Sequence, residues 1–415
     1  MPPGFYLLVA AQFVSGLADN ALLIVGIRFL QEQGYPGWWA PLLKFAFNLA
    51  YVVLAPCMGP VADAMPKARL MAWMNGLKLC GVVCLLLGGH PVLAFAIIGM
   101  AAAAYAPAKY GLVTETVPSG WLVKANGWLE VSVVLSVILG AALGGTLLGL
   151  QAQAEIGQTG SQWPSLWPVV QTPLLPAFLV VTLVYVVAAW LNARIAVVDR
   201  KVTHVPLTWG AVSWRRFLAA NRTLWQDPLG GMSLYVTTLY WGVGAVMQFA
   251  VLVWAEQRLG LHLEQGAYMQ ALVAVGVMLG AWLAGRWYRL HSARQVLPVG
   301  IVLALLLPAL STVTVVWLAI PMLMLAGAVG GMLLVPMNAL LQHRGASVLT
   351  AGASIAVQGF NENACVLIML AIYSAALALG LPLWSIMLAL ALILVLGMVP
   401  VIRPGWRRRR ARSGG

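Results

Sequence analysis

Apolar stretches long enough to cross a lipid bilayer recur along nearly the whole of this 415-residue chain. A hydrocarbon core of about 30 Å takes about 20 apolar residues as an α-helix. About twelve such spans fit, at roughly 5–29, 40–62, 70–88, 91–113, 122–150, 174–197, 229–257, 267–287, 296–315, 317–341, 351–379 and 383–402. Hydrophobic residues make up 62% of the chain and charged residues 8%, against about 25% charged in a soluble domain. The expected fold is an all-α integral membrane protein of about 12 transmembrane helices. No stretch between the spans is long enough for a soluble catalytic domain, so function is sought within the membrane.

The net charge of +13 looks at first like a nucleic-acid signal, but the basic residues are unevenly placed. They lie in alternate short loops: Lys67 and Arg69, Lys124, then Arg200, Lys201, Arg215, Arg216 and Arg222, then Arg289 and Arg294, then Arg344, and a tail from Arg403 to Arg412. The opposite loops hold almost none, Arg258 excepted. The positive-inside rule then puts both termini in the cytoplasm, with no nucleic-acid partner implied. The tail reads as a topology anchor that can also touch anionic lipid. Cys57, Cys80, Cys84 and Cys365 all fall inside apolar spans without a CxxC pair, so buried packing is expected rather than disulfides or a metal. The amino terminus lacks a basic leader region and reads as a retained first helix.

The longest cytoplasmic loop, 198–228, divides the spans six and six. The expected organisation is an amino-terminal six-helix bundle over 1–197, the loop 198–228, a second six-helix bundle over 229–402 and a basic cytoplasmic tail over 403–415. Trp209, Trp214, Phe217 and Trp225 lie among arginines in that loop and suggest a segment lying on the membrane surface. The outer loop 151–173, with Trp163 and Trp167, is expected to rest at the opposite interface. Pro107 and Pro336, and Glu130 and Gln358, recur at nearly one offset, a faint internal repeat. Two related six-helix halves favour a carrier working by alternating access, with its site near the midplane.

An ionisable group at mid-bilayer costs about 2.5–3.5 kcal/mol, so each one inside a span is a functional candidate. Asp19 lies about 20 Å into the first span and is followed by Asn20, which is expected to orient it. Lys78 lies inside the third span and can partner a carboxylate. Lys109 is near the inner end of the fourth. Asn126 and Glu130, one turn apart in the fifth, face the same way. Glu362 sits near the middle of the eleventh between Asn361 and Asn363. The alternative for each is an interhelical bond that only holds the bundle together. Lys44 is expected to snorkel to the outer interface. Charges of both signs suit a zwitterionic cargo or internal salt-bridge gates. Gly140, Gly144 and Gly145, and Gly327, Gly330 and Gly331, allow close helix approach.

Gly59-Pro60-Val61-Ala62-Asp63, followed by Lys67 and Arg69, resembles the loop between helices 2 and 3 of the major facilitator superfamily. There the Asp latches the cytoplasmic side, a role the resemblance gives to Asp63, Lys67 and Arg69. Further strings resemble the bacterial lysophospholipid transporter (LplT) family within that superfamily. They are Ala18-Asp19-Asn20-Ala21, Asn75-Gly76-Leu77-Lys78, Tyr105-Ala106-Pro107-Ala108-Lys109-Tyr110-Gly111, Val123-Lys124-Ala125-Asn126-Gly127, Pro336-Met337-Asn338-Ala339, and Gln358 followed by Glu362-Asn363. The resemblance covers both halves. It implies movement of lysophospholipids, chiefly lysophosphatidylethanolamine, from the outer to the inner leaflet of the bacterial inner membrane. A separate acyltransferase/acyl-carrier-protein synthetase would re-acylate them, since this chain shows no His-x4-Asp motif. It implies no cofactor or metal and a monomer among membrane lipids. The resulting candidate set for substrate binding or gating is Asp19, Asn20, Lys78, Tyr105, Lys109, Asn126, Glu130, Gln248, Asn338, Gln358, Glu362 and Asn363. Gln248 departs from the family, which often carries a basic residue there, so Asp19 is not expected to find an ion-pair partner at 248.

Two other classes compete. A proton-coupled exporter of amphiphilic drugs would use Asp19 or Glu362 as its proton carrier. A membrane-embedded lipid-remodelling enzyme would need paired catalytic groups. Yet His90, His204, His262, His291 and His343 are scattered in loops and at helix ends, with no Ser-His-Asp or metal-ligand spacing.

Overall fold

No water is available inside a bilayer to bond a bare backbone, so apolar spans satisfy their own N–H and C=O groups as helices. A computed structural model of the chain describes residues 3–35, 40–157, 174–195, 212–261 and 263–402, and its regular structure there is helical. In chain order the helices are α1 (Pro3–Glu32), α2 (Ala40–Val53), α3 (Ala55–Ala64), α4 (Lys67–Leu86), α5 (Pro91–Thr116), α6 (Leu122–Gly157) and α7 (Leu175–Ile195). They continue as α8 (Trp214–Gln226), α9 (Gly230–Leu259), α10 (Leu263–Trp287), α11 (Val299–Thr312), α12 (Val316–Val348), α13 (Ala351–Ala378) and α14 (Leu383–Ile402). Among the described residues eleven helices are long and apolar enough to cross a membrane, and there are twelve if the bent pair α2 and α3 is one span. Large apolar side chains such as Trp317, Leu379 and Leu396 stay exposed, as lipid-facing residues must. The protein is a multi-pass, all-α integral membrane protein. Trp209, the loop 158–173 and the tail 403–415 fall outside the described residues.

The second span departs from the straight helix expected over 40–62: α2 and α3 meet at a bend of 67°. Pro56 is the physical reason. It has no N–H to give the carbonyl one turn back, and its ring crowds that carbonyl. In the first turn of α3 the missing N–H costs nothing, so the helix restarts at Ala55.

The chain folds into two compact units: residues 1–112 with 135–212, and residues 113–134 with 213–415. Residues 113–134, which the division at the long loop had counted with the amino-terminal bundle, cluster with the second unit. In the first unit α7 packs against α1 and α4. Phe29 and Phe178 meet edge to face at 5.6 Å, beside the buried Leu22, Val25 and Phe95. In the second, α10 lies along α12, α9 along α13 and α11 along α14, over a core that includes Trp254, Leu307, Leu323 and Met387.

The α10–α12 contact is built on glycine. Gly276 and Gly280 of α10, four residues apart, press against the carbonyls of Met324 and Ala328. Gly327 and Gly331 of α12 press against those of Val273 and Val277. This is small-residue packing used from both sides. Gly140 and Gly144 play the same part against α1, where an added Cβ would lie 2.7 Å from the Leu17 carbonyl and 2.9 Å from that of Ala21. Gly145, expected with them, faces open space, because one residue further round the helix is about 100° away. The cysteines are also corrected: Cys80 is exposed and Cys57, Cys84 and Cys365 are half-buried, all as free thiols.

The polar segment before α9 forms the amphipathic helix α8, with Phe217 and Leu224 buried and Arg215, Arg216 and Arg222 exposed. Its side chains tie it to its own bundle. Phe217 and Trp214 meet the ring of Phe360 at 5.2 and 6.2 Å. Trp225 Nε1 donates to Asn361 Oδ1 (3.1 Å), and the Asn361 amide donates to Asn221 Oδ1 (2.9 Å). Asp227 then closes the α8–α9 turn. Its carboxylate accepts from the backbone N–H of Leu229 (3.2 Å) and Gly230 (2.7 Å), and from Arg344 of α12 at 2.8 and 3.1 Å. Burial alone would raise the Asp227 pKa, but the hydrogen bonds from Arg344 and Gly230 outweigh it and hold the group below its ordinary value.

Two outcomes are expected. Gly280→Ala forces a methyl onto a backbone carbonyl and should destabilise by about 1–3 kcal/mol, while Gly145→Ala should change nothing; thermal unfolding in detergent distinguishes them. A depressed carboxylate pKa gives stability that is present above the unfolded value, about 3.9, and lost as pH falls through the lower folded value. Asp227→Asn should therefore be less stable at neutral pH yet lose less stability on acidification. Parallel melting-temperature curves across pH would contradict this.

Candidate functional site

In the first unit, helical periodicity brings costly side chains onto facing stripes. Ser15 and Asp19 lie one turn apart on α1, Asn75 and Lys78 one turn apart on α4, and Tyr185 and Asn192 two turns apart on α7. Lys78 Nζ is 2.7 Å from Asp19 Oδ2 and donates to Ser15 Oγ at 3.0 Å. Ser15 donates in turn to Asn75 Oδ1 at 2.8 Å. Tyr185 OH donates to the other Asp19 oxygen at 2.8 Å. The ammonium also stands 5.3 Å from the ring centre of Tyr105 and 5.6 Å from that of Tyr185, within range of cation–π attraction. Asn192 Nδ2 reaches the Tyr105 hydroxyl at 3.5 Å. Lys78 is fully buried, while Asp19 keeps 21% of its side chain accessible. Each charge neutralises the other, which is how two ions become tolerable at this depth. Asn75 Nδ2 and Asn192 Oδ1 are buried without a hydrogen-bond partner among the described residues.

The second unit holds a network of amides around one carboxylate. Gln358 Nε2 donates to Asn338 Oδ1 (2.9 Å) and to Glu362 Oε1 (2.8 Å), tying α12 to α13. Glu130 is buried on α6. One turn before it, Asn126 and Gln342 of α12 exchange both amide bonds, at 2.9 and 2.8 Å, and both side chains are buried. A reciprocal amide pair satisfies each group's donor and acceptor with the other and leaves no bare polar atom on that face.

The structure thus brings Asp19, Lys78 and Tyr105 together in one unit, and Asn338, Gln358 and Glu362 together in the other. Other expectations are corrected. Asn20 does not orient Asp19; its amide donates to the Gly16 carbonyl at 2.8 Å. Asn361 and Asn363 likewise bond carbonyls one turn back, Val357 and Gly359, at 2.7 and 2.8 Å, and Gln358 is the amide that reaches Glu362. The reason is common to all three. Sequence neighbours on a helix point about 100° apart, whereas residues four apart share a face. Lys109 is buried with its ammonium 4.3 Å over the Tyr110 ring. Gln248 is exposed, and its carbonyl accepts from the Gln270 amide. Asp63 ends α3, Lys67 is buried at the start of α4, and Arg69 beside it is exposed. Lys44 is exposed.

Sequence reasoning missed Ser15, Tyr185, Asn192 and Gln342 as site residues. The first three carried a usable signal: polar groups inside apolar spans at one- or two-turn spacing. For the Asp19–Lys78 pair a specific outcome is expected. Lys78→Gln alone strands a carboxylate and should cost about 3–5 kcal/mol, and adding Asp19→Asn should recover part of that loss. A double variant no more stable than Lys78→Gln would show that the pair is not coupled.

The comparisons with known proteins agree with this architecture. The Major Facilitator Superfamily model matches residues 8–361. Over 408 residues the chain is 34% identical to the lysophospholipid transporter LplT of Shigella flexneri, spanning 98% of this chain and 96% of that protein. With the lysophospholipid transporter LplT of Serratia proteamaculans (strain 568) it shares 35% identity over 375 residues, 89% of this chain and 87% of that one. Its fold is similar to the crystal structure of FucP, a Major Facilitator Superfamily transporter, in the outward conformation. That match has a TM-score of 0.69 at 15% identity, covering 98% of both chains. The superfamily match over most of the chain and the near full-length similarity lead to one conclusion: the chain belongs to the LplT family of the major facilitator superfamily.

Proposed function

We propose that this protein is a secondary transporter of lysophospholipids, chiefly lysophosphatidylethanolamine. The observation that carries the reading is 34% identity, over 98% of the chain, to a relative named as a lysophospholipid transporter. On this reading it moves its cargo from the outer to the inner leaflet of a bacterial inner membrane by alternating access, both termini being cytoplasmic. A separate acyltransferase/acyl-carrier-protein synthetase then re-acylates the product. The protein acts as a monomer and leaves the lipid chemically unchanged.

The ion pair of the first unit supports a zwitterionic cargo. Lys78 and Asp19 make a neutral pair in a low-dielectric interior, where a bare charge is costly. The headgroup of lysophosphatidylethanolamine is itself a neutral pair of phosphate and ammonium. Partner exchange conserves charge at every step, with phosphate going to Lys78 and ammonium to Asp19. The spare donor on Asn75 adds a second bond for a phosphate oxygen, and the Tyr185 hydroxyl holds Asp19 in place. In the second unit Glu362, bound by Gln358, offers a further acceptor for the cargo or for a coupling proton.

The test is uptake of labelled lysophosphatidylethanolamine into proteoliposomes carrying the purified protein. Asp19→Asn at matched incorporation should cut uptake about tenfold or more, the scale of one charge-assisted hydrogen bond. Lys109→Ala, which removes a buried cation, should slow uptake more than Lys44→Ala, which removes an exposed one. The lipid recovered inside should be unaltered. Normal uptake by Asp19→Asn would remove the exchange mechanism. Transport of an amphiphilic cation with no competition from lysolipids would replace this reading with a drug exporter.

A further inference from the structure

A second collection of charges, built from residues outside both polar networks, lies within the second unit. A cavity of about 800 Å³ opens where the first turns of α6 cross the end of α10. Lys124, Arg286 and Arg289 line it together with Trp121, Trp128 and Trp282, and its lining contains no acidic residue. All three cations are exposed, and none is paired with a carboxylate among the described residues. Lys124 Nζ stands 4.9 Å over the Trp121 ring, which holds it at the cavity mouth.

The register of the two helices gives the cavity a polarity. Lys124 lies in the first turn of α6, and Trp128 follows one turn deeper into the span. Arg286 lies in the last turn of α10, and Trp282 precedes it by one turn, again deeper. Residues four apart share a helix face, so each helix presents a cation at the membrane edge above an indole on its apolar side. Gly127 and Gly285 bring the backbones together beneath. A Cβ on Gly127 would lie 2.8 Å from the Ala281 carbonyl, and one on Gly285 would lie 3.3 Å from Lys124 Cα. The result is a cationic rim over an aromatic wall.

We propose that this cavity binds the phosphate headgroup of an anionic diacyl phospholipid from the surrounding bilayer. Uncompensated cations at the headgroup level draw anionic lipid, and tryptophan is favoured at that depth. A zwitterionic lipid brings its own ammonium into a rim that already holds three cations, so an anionic headgroup is preferred. A soluble anion would leave the exposed Trp128 and Trp282 rings unused, whereas acyl chains cover them. The site is built from residues outside the Asp19 and Glu362 networks and stands whatever cargo the protein carries.

The test uses the full-length protein in nanodiscs of phosphatidylethanolamine doped with phosphatidylglycerol. Lipid retained after transfer to detergent is read by native mass spectrometry. The wild type should keep phosphatidylglycerol in preference to phosphatidylethanolamine. The triple variant Lys124→Gln/Arg286→Gln/Arg289→Gln should lose that retention about tenfold or more, and Arg258→Gln, an exposed cation elsewhere, should not. Trp128→Ala/Trp282→Ala should weaken retention with the cations intact, and it carries the test together with Arg289→Gln if the triple variant does not fold. Undiminished retention in these variants would overturn the proposal. So would displacement of the lipid by millimolar inorganic phosphate, which would make this a free-anion site. Equal retention of single-chain lysophosphatidylglycerol would also overturn it, because the second acyl chain would then contribute nothing.

Discussion

A bilayer interior offers no hydrogen bond to a polar group, and most of this structure follows from that constraint. The backbone meets it by becoming helix, even across Pro107, Pro321 and Pro336, which lie inside continuous helices. At Pro56 the chain breaks between α2 and α3. Side chains meet it by pairing. Lys78 would be intolerable alone at its depth, and with Asp19, Ser15 and the rings of Tyr105 and Tyr185 it becomes the centre of a network. Asn126 and Gln342 satisfy each other. A polar group that finds its partner inside the protein fixes the rotation of its helix about its own axis, because only one face can carry it.

Lipid tails are as apolar as leucine, so helices do not associate to escape their solvent. Close approach has to supply the cohesion. The glycines of α10 and α12 let two backbones touch directly over two turns. The same device sets α6 against α1 through Gly140 and Gly144. Elsewhere larger side chains interlock, as where Phe29 meets Phe178. The polar networks and the glycine seams thus divide the work: the seams bring helices together, and the networks specify which residues face inward.

The two units treat charge differently. In the first, one cation and one anion cancel within 2.7 Å. In the second, Glu362 is held by an amide donor. Neutral donors leave a carboxylate free to take up a cation or a proton, while an ion pair resists net charge and exchanges partners more readily than it gains them. Outside the spans, Asp227 shows the strongest local use of an acid: it caps the start of α9 and grips Arg344 of α12 in one step.

The spans, the all-α class and the candidate charges were legible in the sequence, because each is a local property of about twenty residues. A window of apolar residues must be helix in lipid, and an acid inside it is costly whatever surrounds it. Asp19, Lys78 and Glu362 stood out on that ground alone, and the family motifs placed them in context. Partners were not legible. Lys78 meets Asp19 from 59 positions away and Asn126 meets Gln342 from 216 away, and such contacts depend on which helix faces are turned together. For the same reason adjacency misled at Asn20, which bonds the backbone one turn back rather than Asp19, and Asn361 and Asn363 beside Glu362 do the same. Gly144 and Gly145 read alike in sequence, and only the tertiary packing decided that one touches α1 and the other touches nothing. Hydropathy is additive along a chain, so it can be read there. Side-chain pairing depends on the rotation and crossing of helices distant in sequence, and that is settled only when they pack.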